Sequence, residues 1–116
     1  MPLSRAHGKT PREPWQYGDM ALKEVKKWIN FRHRLVPYLY HTACQSHQSG
    51  IPMIRPLVME YPKDPIAKIQ NLSYMLGDAL LISPGFDRDE YELYLPEGRW
   101  QDIESKEVLH VPAQLW

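Results

Sequence analysis

The sequence predicts an α/β segment followed by an antiparallel β region. Three observations carry this reading. Apolar residues recur at helical spacing between about residues 19 and 49. An extended apolar stretch punctuated by prolines follows at 51–61. From residue 76 onward the apolar period shortens to two.

Residues 1–18 read as loop, because Pro2, Gly8, Pro11, Pro14 and Gly18 interrupt any apolar period. Residues 19–49 read as one long helix with Asp19 as N-cap and Glu24 adding early negative charge. Val25, Trp28, Ile29, Arg32, Leu35, Val36, Leu39 and Ala43 recur at spacings of three and four, and the basic residues Lys23, Lys26, Lys27, Arg32 and Arg34 supply the solvated side. Pro37 predicts a kink or a helix-to-helix break, since it lacks an amide hydrogen. Gly50 at C′, followed by Pro52, is the stop signal.

Beyond the helix, a short strand is expected around Ile54–Met59, limited by its flanking prolines. Pro62, Asp64 and Pro65 form a turn that caps a short helix through residues 66–72. Ala79–Ser83 reads as a buried strand. Tyr91, Leu93 and Leu95 alternate on one face of a second strand at 90–95. Turns at Pro96-Glu97-Gly98 and Glu104-Ser105-Lys106 then set off strands at 99–103 and 108–111, giving a three-stranded meander. The change of period near residue 76 divides the chain into 1–75 and 76–116.

Composition narrows the function classes. With 14 basic and 14 acidic residues there is no net field to recruit nucleic acid or an anionic membrane. One cysteine, Cys44, excludes a disulfide scaffold and fits a reducing compartment such as the cytoplasm. The first 15 residues contain no apolar core of a signal peptide, and no run is long enough to span a bilayer. The apolar surface of Trp28, Ile29, Tyr38, Tyr40 and Met53 to Met59 exceeds what these few elements can cover. That surplus predicts association, with a larger body or as a homo-oligomer.

Candidate chemistry is sparse. There is no glycine-rich phosphate loop and no nucleophile elbow, and nothing calls for a cofactor. His41, Cys44 and His47 are spaced by three. On a helix each such step rotates the side chain by about −60°, so the outer pair diverges by about 120° and no metal site is expected. Asp64 with Asp78, or Asp87, Asp89 and Glu90, are the available carboxylates, and each reads as a turn residue rather than as an acid and nucleophile pair. The loop holding Arg5, His7, Arg12, Trp15 and Tyr17 is richer. Histidine exchanges hydrogen bonds with hydroxyls, arginine orients carboxylates and tryptophan stacks on a sugar face.

Five blocks in order carry a resemblance. They are Ser4-Arg5-Ala6-His7-Gly8 with Arg12-Glu13-Pro14-Trp15; Arg34 to Tyr40 (RLVPYLY); Gly50 to Leu57 (GIPMIRPL); Tyr74 to Pro84 (YMLGDALLISP); and Tyr94 to Trp100 (YLPEGRW). Together they resemble the late barrel loop, the following helix, the next barrel strand and the proximal C-terminal β-domain of glycoside hydrolase family 31. The resemblance implies the end of a (β/α)8 barrel (loop, long helix, last strand) in residues 1–75 and the start of an antiparallel β-sandwich in 76–116. It implies retaining hydrolysis of terminal α-linked glucose or xylose, so the expected partner is an α-glucoside or α-xyloside sugar. His7 would hydrogen-bond sugar hydroxyls, Arg5 would support it, and Trp15 would pack the loop. The family's two catalytic aspartates lie in motifs upstream of these blocks, so no catalytic residue is expected here. The alternative is a non-catalytic module that binds carbohydrate or docks onto another subunit.

Overall fold

A computed structural model describes residues 7–84 and 93–112. The chain divides into two compact units, Met1–Ile51 and Pro52–Trp116.

The first unit is helical. A 3-10 turn at Pro14–Tyr17 leads into α1, Gly18–Arg34, and then α2, Val36–Ser49. The helix begins one residue earlier than expected, so Asp19 lies in the first turn rather than at the cap, where its charge still faces the positive end of the dipole. The expected interruption at Pro37 is a full break between two helices. Pro37 has no amide hydrogen to donate to the carbonyl four residues back, and its ring would clash with that carbonyl, so the chain breaks at Leu35. There the Leu35 amide is shared between the carbonyls of Phe31 (3.2 Å) and Arg32 (3.0 Å). Pro37 falls in the first turn of α2, where no amide is missed. Gly50 ends α2 in the left-handed conformation with φ 75°, its amide donating to Ser46 O at 2.9 Å.

Few side chains of this unit are covered. Thr42 is buried, its hydroxyl returned to Tyr38 O at 2.9 Å, four residues back. Trp28 meets Phe31 edge-on at 5.9 Å between ring centroids, and the Lys27 ammonium stands 5.1 Å from the Trp28 ring. Among the described residues no helix is long and apolar enough to cross a membrane.

The second unit contains two antiparallel sheets. β1 (Ile54–Pro56), β2 (Tyr74–Leu76) and β3 (Leu80–Ile82) form one in that order. β4 (Gly98–Gln101) pairs with β5 (Val108–Val111) to form the other. The strand expected at 54–59 stops at Pro56, which has no amide to continue a ladder and instead precedes the short helix α3, Leu57–Glu60. β1 pairs antiparallel with β2, Arg55 opposite Met75. That pairing places β1 in one compact unit with the later strands.

The helix expected through 66–72 is shorter: α4 is Pro65–Ile69. The Asp64 carboxylate caps it as the turn predicts, accepting from Ile66 N at 2.8 Å and Ala67 N at 3.1 Å. The β2–β3 hairpin turns at Gly77, where φ is 61° and the amide donates to Met53 O at 2.7 Å. Leu93–Leu95 is not a strand, and the rest of the expected strand at 90–95 lies outside the described residues. The β4–β5 connection is held by Asp102, whose Oδ1 accepts from the amides of Glu104 and Ser105. Leu57, Ala67 and Met75 make the core, surrounded by Tyr61, Leu81, Tyr94 and Trp100.

Candidate functional site

Two side-chain groupings have the makings of a site, one in each unit. The first is the loop that precedes α1. His7 is exposed at its start, and Arg5 lies outside the described residues. Arg12 folds back on the loop: a Cβ built on Gly8 would come within 2.5 Å of Arg12 Nε. Glycine at position 8 is what allows that approach. The 3-10 turn then presents Trp15 and Tyr17 to solvent, at 62% and 65% exposure. Within this chain most of the Trp15 indole is therefore left uncovered. An exposed histidine, a guanidinium and two exposed aromatics on one short segment match the chemistry of hydroxyl and sugar-face recognition.

The second grouping is a charge clamp, of which the sequence marked only Asp78, as a turn residue. Arg55, 7% exposed, sits on β1. Its Nη1 donates to Glu60 Oε1 at 2.6 Å and its Nη2 to Asp78 Oδ1 at 2.7 Å, tying β1 to α3 and to the β2–β3 turn. Hydrogen bonds to Asp78 and then Glu60 hold the guanidinium above its ordinary pKa. Arg55 Nε is buried without a hydrogen-bond partner among the described residues. The sequence signal was present: an arginine inside an apolar, proline-flanked run must find a counter-charge if that run is buried.

Asp64 is similarly engaged on both oxygens. Oδ1 caps α4, and Oδ2 accepts from the Tyr94 hydroxyl. Burial pushes the Asp64 carboxyl up, but the Tyr94 hydroxyl and the Ala67 and Ile66 amides outweigh it and leave it below the usual carboxylate range. The Tyr94 phenol is pushed up to about 12, first by its own burial and then by its bond to Asp64.

The two carboxylates are thus occupied with separate structural partners and do not form an acid and nucleophile pair. Asp87, Asp89 and Glu90 lie outside the described residues. His41, Cys44 and His47 ride on α2, and among the described residues no three potential ligands come together to hold a metal ion.

Comparison with known proteins gives this geometry a family. The TIM-barrel domain of glycosyl hydrolases family 31 matches residues 1–42, and the glycosyl hydrolase family 31 C-terminal domain matches residues 50–115. The chain is 35% identical over 105 residues to a 1,6-alpha-glucosyltransferase of Sporosarcina globispora, covering 87% of this chain and 8% of that protein. It is 33% identical over 112 residues to an alpha-xylosidase of Lactiplantibacillus pentosus, covering 94% of this chain and 15% of the relative. Its fold superposes on a Flavobacterium johnsoniae family 31 dextranase complexed with glucose with a TM-score of 0.79 at 31% identity, over 90% of this chain and 14% of the dextranase. The chain spans 8% and 15% of the length of these two curated relatives. Matched in order along nearly its whole length, by a barrel end and then a C-terminal β-domain, the chain belongs to glycosyl hydrolase family 31.

Proposed function

We propose that this chain acts as part of a retaining α-glycosidase that hydrolyses terminal α-linked glucose or xylose, and that its contribution is the substrate-binding loop around His7. The observation that carries the reading is the pair of consecutive family matches, the first of which includes His7. The relatives' names support the substrate class: they include alpha-glucosidases and an alpha-xylosidase.

In retaining hydrolysis one carboxylate attacks the anomeric carbon and a second protonates the leaving oxygen, then deprotonates water. Asp64 and Asp78 are committed to Tyr94, to the α4 amides and to Arg55, so this reading draws both catalytic carboxylates from elsewhere in the enzyme. His7 has the simpler task of donating a ring N–H to a sugar hydroxyl. Such bonds strengthen as the ring flattens toward the oxocarbenium-like transition state. Arg5 supports the loop from two residues away.

The test is His7→Ala in the complete enzyme. Turnover falls by about 10- to 100-fold while the thermal melt is unchanged, the loss of one hydrogen bond made chiefly in the transition state. Unchanged kcat/KM with an α-glucoside and an α-xyloside would remove His7 from the site.

A further inference from the structure

The second unit holds a half-open cleft of about 590 Å³ that the His7 loop does not line. Its volume falls in the usual range of small-molecule sites, about 300–1,000 Å³. One wall is the turn between α3 and α4, carrying Tyr61 and Lys63. Tyr94, Leu95, Glu97 and Val111 also line the cleft. We infer that this cleft is a second, non-catalytic binding site for a neutral saccharide.

Charge excludes most alternatives. Glu60, Asp64 and Glu97 line the cleft against Lys63, so an anionic ligand meets an excess of negative charge. Two of these carboxylates are already used, Glu60 by Arg55 and Asp64 by the α4 amides and Tyr94. That leaves the Glu97 carboxylate as acceptor, the Lys63 ammonium as donor and the Tyr61 hydroxyl as either. Burial, and then Glu60, hold the Tyr61 phenol above its ordinary pKa, so it remains a neutral hydroxyl at physiological pH. Between these groups lies apolar surface from Leu95, Val111 and Pro62. Donors and acceptors around an apolar floor match a pyranose, which carries hydroxyls on its rim and C–H groups on its face. A small amine would find the carboxylate but leave the tyrosine and lysine unused.

The ligand class rests on the α-glycosidase reading, but the cleft itself does not. The experiment is therefore a binding measurement without turnover. Maltose, isomaltose and xylose are titrated into the 116-residue chain by calorimetry, with inorganic phosphate as the anionic control. Expected is saturable binding with a Kd in the millimolar range, on the order of 1–10 mM. Glu97→Gln and Tyr61→Phe each weaken it at least about fivefold, the loss of one hydrogen bond, with unchanged circular dichroism melts. His7→Ala leaves it intact. No saturation with any of the three sugars, binding by both cleft variants as tight as by the unaltered chain, tighter binding of phosphate, or loss of binding in His7→Ala each overturns the inference. None of these results bears on turnover by the complete enzyme, which tests the α-glycosidase reading separately.

Discussion

Arg55 makes two charged hydrogen bonds of nearly equal length, yet the structure predicts that they differ several-fold in energetic worth. The Glu60 side chain is 31% exposed and the Asp78 side chain 66%. Water can take over most of what Arg55 supplies to Asp78 and much less of what it supplies to Glu60. A half-desolvated charge-assisted bond is worth about 1.5 kcal/mol and an exposed pair about 0.5 kcal/mol. The perturbation is a pair of double-mutant cycles, Arg55→Met with Glu60→Gln and Arg55→Met with Asp78→Asn. The cycles are needed because methionine also removes the buried, unpartnered Nε, whose desolvation offsets part of the loss. The expected coupling energies are about 1.5 kcal/mol to Glu60 and about 0.5 kcal/mol to Asp78. At about 4–8 °C per kcal/mol for a domain of this size, the coupling to Glu60 corresponds to roughly 6–12 °C of Tm and that to Asp78 to roughly 2–4 °C. Thermal melts of the four proteins in each cycle, at matched concentration, provide the values. Equal couplings, or a larger one to Asp78, would refute the argument that solvent exposure sets the worth of each arm.

The Tyr94–Asp64 bond gives stability two pH limits. Tyr94 has a raised pKa, so the fold favours its neutral form, and that contribution is complete below about pH 10 and lost as pH rises through about 12. Asp64 has a lowered pKa, so its contribution is complete above about pH 4 and lost as pH falls through the folded-state value. Tyr94→Phe should abolish the latest step in the tyrosinate absorbance titration; a Tyr94 phenol that ionises near pH 10 contradicts the assignment. Leu57 is fully buried at the centre of the second unit, and Leu57→Ala should cost about 2–5 kcal/mol, read from urea unfolding. A cost below about 1 kcal/mol would show that the site collapses freely. Met20 and Ile69 are both 77% exposed and Tyr40 is 73% exposed, so the purified chain should elute in gel filtration above its monomer mass; a single monomeric peak at high concentration disproves this.

What the sequence revealed was local. The break near Pro37, the Gly50 terminus and the Asp64 cap each depend on residues within one or two turns, and each could be read from spacing alone. What escaped was pairing at a distance. Nothing in the Ile54-Arg55-Pro56 run announces that it lies antiparallel to Tyr74–Leu76, because register is a property of two segments and the period reports on one. The first strand of the meander was expected from the alternation of Tyr91, Leu93 and Leu95, but Leu93–Leu95 forms no strand. Trp100, next to that segment, binds Pro96 O through its indole nitrogen at 2.8 Å, and Pro96 itself is buried. The His7 loop was found through its resemblance to a family motif. Physical chemistry alone marks it only as a polar, aromatic segment without regular structure. The Arg55 clamp is the reverse case, since the lone charge in an apolar run was visible but its two partners were not.

The separations that join each unit also set an order of assembly. In the first unit the bonds span four residues, such as Thr42 to Tyr38 and Leu39 to Leu35. In the second, Arg55 reaches Asp78 across 23 residues and Tyr94 reaches Asp64 across 30. Closing loops of that length costs chain entropy before any contact repays it, whereas a helical turn closes almost at once. Helix growth occurs within about a microsecond and pairing of distant strands takes milliseconds or longer. A refolding chain should therefore regain far-ultraviolet helical signal well before Trp100 reaches its final environment. During that interval the paired helices exist while the strands that bury Leu57 are still unmade.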